Sequence, residues 1–201
     1  MKKSTIIVMA ILAVASILVL MPFMSYNGLV EKQENVKEKW GQVMNVYQRR
    51  ADLIPNLVST VKGAANFESS TLTEIAEARA QLGQVKVSEN TFKDPEALEA
   101  YLKNQDRLSG SLGRLMMQTE NYPELRATAG FRDLQAQLEG TENRIAVERK
   151  RYNEEVKVYN TAVRKLPASL FAGMLGFEKV PYYEGEKNMN IERAPEVNFG
   201  K

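Results

Sequence analysis

Apolar residues follow two patterns in this chain, and the change between them falls near residue 25. From Ile6 to Met24 the chain is apolar apart from Ser16, a run of nineteen residues. As a helix such a run reaches about 28 Å, close to the hydrocarbon thickness of a bilayer. From Leu29 the pattern becomes periodic: Leu29, Gln33, Val36, Trp40, Val43, Tyr47, Arg50, Ile54, Leu57 and Val61 are spaced alternately by four and three residues. That is the seam of a helix packed along its length, with Gln33 and Arg50 as its polar members. The helix is expected to stop at Gly63 and the Phe67–Ser70 segment. Pro22 and Gly28 are the expected bend points between its apolar and periodic parts.

Three more helices follow from the same rhythm. Leu72, Ile75, Ala76 and Arg79 predict a helix over Ser70–Leu82, and Gly83–Lys93 reads as a loop. Asp94-Pro95-Glu96 is a start signal: a capping carboxylate, a proline in the first turn, and an acid near the positive end of the dipole. The helix it opens carries Leu98, Tyr101, Leu102, Leu108, Leu112, Leu115 and Met116 and ends near Pro123. Gly110 and Gly113 either weaken the middle of this helix or allow close helix approach, and a packing contact is the favoured reading. Glu124 opens a long fourth helix, with Leu125, Phe131, Leu134, Leu138, Thr141, Ile145, Glu148, Tyr152, Val156, Tyr159 and Val163 in register up to Pro167. Ser169–Leu175 predicts a short apolar turn or helix, and Glu178–Lys201 has no periodicity and reads as extended or disordered.

No segment alternates with a period of two, so the expected fold is all-α. Its expected form is an N-terminal transmembrane helix, an elongated antiparallel four-helix bundle and a flexible C-terminal tail. In residue numbers this is an anchor over 1–25, a bundle over 26–166, and a short helix with an extended tail over 167–201.

A membrane anchor competes with a cleaved signal peptide and a buried core helix for the apolar run, and the anchor is favoured. Insertion is carried by Ile6, Ile7, Ile11, Leu12, Ile17, Leu18, Leu20 and Phe23, helped by Val8, Val14 and Val19. Together they favour the bilayer by roughly −3 to −7 kcal/mol. The core runs to Met24 and is followed by Ser25-Tyr26-Asn27, a poor cleavage site. Lys2 and Lys3 before the span are nearly balanced by Lys32, Lys37 and Lys39 after it. Their closeness to the span favours a cytoplasmic N-terminus, which puts the bundle outside the cytoplasm.

Composition narrows the chemistry. All 25 acidic residues and 25 of the 27 basic ones lie beyond the span, so the part of the chain that follows it is formally neutral. The concentrated basic face of a nucleic-acid binder is not present in the sequence. The chain has neither His nor Cys. Imidazole proton transfer, thiolate nucleophiles, zinc sites with such ligands, and the Glu-x-x-His di-iron arrangement are thereby excluded. No phosphate-binding glycine loop is present either. The expectation is a protein without enzyme activity, cofactor or metal. Glu139, Glu142, Glu148, Glu154 and Glu155 are read as a solvated or salt-bridged face.

Several segments resemble the LemA family: Tyr26-Asn27-Gly28-Leu29-Val30, Val36 through Trp40-Gly41-Gln42-Val43, and the run Gln48-Arg49-Arg50-Ala51-Asp52-Leu53-Ile54-Pro55-Asn56-Leu57-Val58. Further matches are Val61-Lys62-Gly63, Tyr122-Pro123-Glu124-Leu125, Leu138-Glu139-Gly140-Thr141-Glu142-Asn143-Arg144-Ile145, Arg149 through Tyr152-Asn153, and Val158-Tyr159-Asn160. The resemblance covers the whole chain. It implies a single-pass anchor in the bacterial cytoplasmic membrane and a four-helix domain, and it supplies no enzyme activity. It also implies a link to membrane remodelling, with TPM-domain proteins or membrane zinc proteases as neighbours. The family is often described with its domain in the cytoplasm, opposite to the orientation that the flanking charges favour, and both orientations stay open.

Within these motifs Trp40, Arg49, Arg50, Asp52, Pro55, Asn56, Glu142, Asn143, Glu148 and Tyr152 are the residues singled out. Pro55 removes a helical hydrogen bond to Ala51 and predicts a kink, either for packing or as one wall of a binding groove. Arg50 in the seam needs an acid, and Glu148, a seam residue of the fourth helix, is the expected partner. Tyr47, Tyr101, Tyr122, Tyr152 and Tyr159 are read as core residues with their hydroxyls at the rim. In the tail Tyr182, Tyr183 and Phe199 are expected to dock on the bundle or on a neighbouring subunit. The functional expectation is a membrane-anchored helical scaffold that contacts membrane lipid and forms a homo-oligomer. The alternative is an adaptor for a membrane protease or a TPM-domain protein.

Overall fold

The computed structural model describes residues 3–63, 69–84, 87–88 and 90–183. Among them the chain is helical, with no strand. Helix α1 covers Lys3–Lys62, α2 Ser69–Gln84, α3 Pro95–Thr119, α4 Pro123–Ala127 and α5 Ala129–Arg164. Short 3-10 turns occupy Thr91–Lys93 and Ala168–Leu170.

Helix α1 is continuous for 60 residues and contains both Pro22 and Pro55. At the α-helical rise this is about 90 Å. The apolar run and the first bundle helix are therefore one element, and neither Pro22 nor Gly28 ends it. Gly63 forms the closing turn, its N–H donating to the Ser59 carbonyl at 3.3 Å. Among the described residues no helix is long and apolar enough to cross a membrane. The side chains of Ile7, Ile17 and Leu18 lie outside the described residues, whereas Ile6, Ile11, Leu12, Leu20 and Phe23 are exposed.

The cap of α3 is the one its sequence predicts. Asp94 accepts from the N–H groups of Glu96 and Ala97 at 3.0 and 3.1 Å, and Pro95 opens the helix. The predicted fourth helix is instead two helices. Thr128 is extended (φ −68°, ψ 136°), accepts from the Phe131 N–H, and begins α5 anew. Packing explains the break, because Leu125 and Phe131 are both buried. Six residues apart on one straight helix, they would point about 120° away from each other. The packing contact expected at Gly110 and Gly113 is also absent, since a Cβ at either position meets no atom within 4 Å.

Helices α1 and α5 form the principal antiparallel pair. Gln33 meets Tyr159, Trp40 meets Tyr152 and Arg50 meets Glu142. Each step up α1 is thus matched by an equal step down α5. Helix α2 lies antiparallel to α3, as the pairs Thr71–Gln118, Glu74–Arg114 and Gln81–Arg107 show. Because α2 has only 16 residues, about 24 Å, it cannot line the whole bundle. The core accordingly divides. Distally, Ile54, Leu57, Val61, Leu72, Ile75, Leu108, Leu112, Leu115, Phe131 and Leu138 pack from four helices. Proximally, nearer the apolar run, Leu29, Val36, Trp40, Tyr47, Phe92, Tyr101, Tyr152, Val156 and Tyr159 are joined by Ala172, Phe177 and Val180 from the segment after α5.

Candidate functional site

The seam of α1 places one charged residue, Arg50, in the core between these two clusters, and it is 0% exposed. A buried guanidinium is costly unless its donors are satisfied. Arg50 Nη1 donates to Glu142 Oε1 at 2.8 Å and to the Ser109 hydroxyl. Its Nη2 donates to the Gln105 carbonyl at 2.9 Å and to the Gln105 side-chain oxygen. Gln105 in turn donates to the Tyr101 hydroxyl at 2.7 Å. Of the guanidinium nitrogens of Arg50 only Nε has no acceptor.

The partner is Glu142, not the expected Glu148. The antiparallel register sets Arg50 opposite Glu142 and leaves Glu148 more than a turn away on α5. Glu148 is buried and accepts from Arg151 of its own helix at 2.9 Å.

A second group extends the polar belt to the bundle's side. Arg149 donates from Nε to the Tyr47 hydroxyl at 2.7 Å and from Nη2 to Asp106 Oδ1 at 2.8 Å. Its guanidinium lies 4.2 Å from the Tyr183 ring centroid, within cation–π range. Tyr183 closes the group by donating to Asp106 Oδ1 at 3.2 Å.

Tyr183 reaches this belt because residues 177–183 form an extended strap on α5. The Asn160 side chain donates to the Val180 carbonyl at 2.8 Å and accepts from its N–H at 2.9 Å. Asn153 does the same for Tyr183, at 2.9 and 2.8 Å. Each amide thus takes the place of a neighbouring strand. The spacing fits: seven helical residues rise about 10.5 Å, and three extended residues span about 10 Å. The strap therefore runs antiparallel to α5 with both clamps in register, and Tyr152 adds a hydrogen bond to the Pro181 carbonyl at 3.1 Å. Of the three aromatic residues singled out in the tail, Tyr183 packs on the chain's own bundle, Tyr182 is 44% exposed and Phe199 lies outside the described residues. Of the two readings of the tail, extended or disordered, its first part takes the extended one, held on α5 by hydrogen bonds at Val180 and Tyr183.

The remaining singled-out residues are not gathered into one site. Trp40 and Tyr152 pack in the proximal core, rings 5.8 Å apart. Arg49, Asp52, Pro55, Asn56 and Asn143 are exposed, with Asp52 accepting from Gln48 at 2.7 Å. A cavity of about 460 Å³ opens beside Trp40, Gly41 and Val87, and a larger one of about 840 Å³ beside Thr60, Tyr122 and Thr128; Pro55 lines neither. The missed residues are Asn153, Asn160, Gln105 and Asp106. The two asparagines sit one heptad apart on α5 and fall within the matched motifs Tyr152-Asn153 and Val158-Tyr159-Asn160, but neither signal tells what they hold.

Electrostatically the belt is static near neutral pH. Burial pushes the Tyr101 phenol up to about 12, and burial raises Tyr47 and Tyr152 as well. For Arg149 burial acts downward, but Tyr47, Tyr183 and Asp106 outweigh it and the net direction is up. Phenols that stay protonated and an Arg149 guanidinium that stays charged suit a structural joint.

The fold defines a class: a helical bundle carried on one very long N-terminal helix and completed by a C-terminal strap. The LemA family model matches residues 39–199, and the chain belongs to the LemA family. It is 27% identical over 176 residues to magnetosome protein MamQ of Magnetospirillum gryphiswaldense, covering 80% of this chain and 65% of that relative. It is 26% identical over 195 residues to magnetosome protein MamQ 2 of Paramagnetospirillum magneticum, covering 89% and 71%. Protein LemA of Metamycoplasma hominis is 22% identical over 168 residues, covering 84% and 71%. The chain thus spans just under two thirds of the first of these relatives.

Proposed function

We propose that this protein is a non-enzymatic scaffold anchored in the bacterial cytoplasmic membrane by Ile6–Met24, in a single pass. It holds a stiff helical bundle against the bilayer and self-associates there. The observation that carries the reading is the unbroken helix Lys3–Lys62, which couples the apolar run to the bundle without a flexible linker. Movement of the bundle is then transmitted to the span. The belt residues support the reading because they serve to lock helices together. The magnetosome relatives support it too, since their name belongs to a cellular structure and not to a reaction.

The test is the full-length protein in its own membrane. It should stay in the pellet after alkaline carbonate washing, and particles extracted with native lipid should hold more than one copy. Release by carbonate overturns the anchor. Single copies overturn self-association, and a TPM-domain protein or membrane protease co-purifying in equal amount replaces the scaffold with the adaptor reading. Proteolysis of the segment after Tyr183 from one side of sealed vesicles assigns the orientation.

A further inference from the structure

The turn after α5 carries an apolar surface that the bundle does not use. Between Arg164 and Val180 the chain buries Ala172 and Phe177 in the proximal core. Over the same stretch it leaves Leu166, Leu170 and Met174 exposed, at 74%, 64% and 88%. Closing the bundle needs only the buried pair, and polar residues would serve at the other three positions.

The loop is fixed, and its level along α1 is known. The Asn160 clamp on Val180 closes its base. Within it the Phe177 N–H donates to the Ala172 carbonyl at 2.9 Å, beside Gly176 at φ 79°. The Phe177 ring meets Tyr26 of α1 edge-on, centroids 5.6 Å apart. Tyr26 lies two residues beyond Met24, where the apolar run ends, about 3 Å along the helix axis. The exposed leucines and methionine therefore belong to a loop at the level where the run gives way to polar sequence. Arg164, Lys165 and Lys179 are exposed around them, with Glu178 the acid among them.

We infer that the loop over 165–176 is a second membrane contact, seating Leu166, Leu170 and Met174 in the boundary between headgroups and acyl chains. It rests on the anchored reading, and it names the bilayer surface as the partner of this loop. Apolar tips with a cationic rim are the chemistry of an interfacial segment on anionic lipid. The consequence is orientation. A single helix leaves the bundle free to turn about the span, and interfacial anchors fix tilt and rotation. With the loop seated, only one face of the bundle can meet the membrane.

The chain contains no cysteine, so single reporters can be placed in the full-length protein at Met174→Cys, at Met117→Cys and at Leu12→Cys. Met117 is a distal control on α3, 69% exposed. Each variant carries an environment-sensitive fluorophore and is reconstituted in vesicles of phosphatidylcholine with phosphatidylglycerol. The probe at 174 should be quenched several-fold more than that at 117 by nitroxide lipids labelled near the headgroup, and should be shielded from iodide. A probe at 174 that behaves like the one at 117, while that at 12 is quenched by lipid, overturns the loop contact and leaves the anchor standing. Lack of lipid quenching at 12 overturns the anchored reading itself. Shielding at 174 from both lipid and iodide shows protein covering the loop and also overturns the inference.

Discussion

The distal and proximal halves of the bundle solve the same packing problem with different materials. Distally four helices meet, and the core is almost wholly aliphatic. Proximally α2 contributes only Leu82 at its end, and three helices pack with a strap of extended chain around Trp40, Tyr47, Tyr101, Tyr152 and Tyr159. A strap is thinner than a helix, so the proximal core needs side chains that fill more space. Aromatic rings supply it, at edge-on or tilted spacings of 5.7 to 6.0 Å. The backbone polar groups of an extended segment must also find partners, and Asn153 and Asn160 provide them. The distal half is held by its helices alone, whereas the proximal half depends on chain that follows the last long helix.

The largest expected effect comes from removing that dependence. A chain ending at Leu166 loses Ala172, Phe177 and Val180 from the proximal core. By buried area and hydrogen bonds this costs roughly 6 kcal/mol or more. Trp40, the only tryptophan, reports it: its emission should move to the red while the helical dichroism of the distal half persists. Unchanged emission would show that three helices close the proximal core unaided. Asn160→Ala is a milder version, because it orphans both polar groups of buried Val180, and should cost about 2–4 kcal/mol.

Next in size is Arg50→Ala at the boundary between the halves. It strips Glu142, Gln105 and Ser109 of their common donor and should cost about 3–5 kcal/mol. For a domain of this size each kcal/mol lowers the melting temperature by about 2–4 °C. Glu148→Gln is the control. Among the described residues Glu148 pairs with exposed Arg151, so a small effect there and a large one at Arg50 uphold the observed register. Equal losses would contradict it.

These comparisons follow the line between what was legible in the sequence and what was not. Every apolar position of the α1 seam from Leu29 to Val61 is buried, because a helix displays its packing face in its own periodicity. The Asp94 cap was readable for a similar reason, being a contact within four residues. The partner of Arg50 was not, since periodicity gives the seam of each helix but not the register between two. That register depends on loop lengths and on Trp40, Tyr152 and the Gln33–Tyr159 hydrogen bond. The strap was legible least of all. Its hold on α5 runs through the main chain of Val180 and Tyr183, and backbone groups leave no trace in residue type.

Alkali should separate the halves more gently. Burial raises the Tyr101 pKa from 10.0 to about 12, so folding favours the neutral phenol. Its contribution is complete below pH 10 and declines as pH rises through the folded value, by about 1.4 kcal/mol per unit. Tyr47 and Tyr152 shift in the same direction, and all three lie in the proximal core. Between pH 10 and 12 the Trp40 signal should therefore be lost before the distal helices unfold. Tyr101→Phe should flatten that decline, and simultaneous loss of both halves would show that they unfold as one unit.

The smallest effect tests the distal half at an uncrowded position. Gly110 of α3 is exposed, and a Cβ there meets nothing within 4 Å. Glycine inside a helix is less favourable than alanine by about 0.5–1 kcal/mol, an entropic cost of the unfolded chain. Gly110→Ala should consequently raise the melting temperature by about 1–4 °C, with Trp40 emission unaltered because the change lies outside the proximal core. In membranes the outcome carries further information. A variant more stable in detergent but less able to self-associate would mean that a second molecule approaches α3 closely at this position. Equal self-association with the gain in stability would leave Gly110 as a site where the sequence is simply less helical than its structure allows.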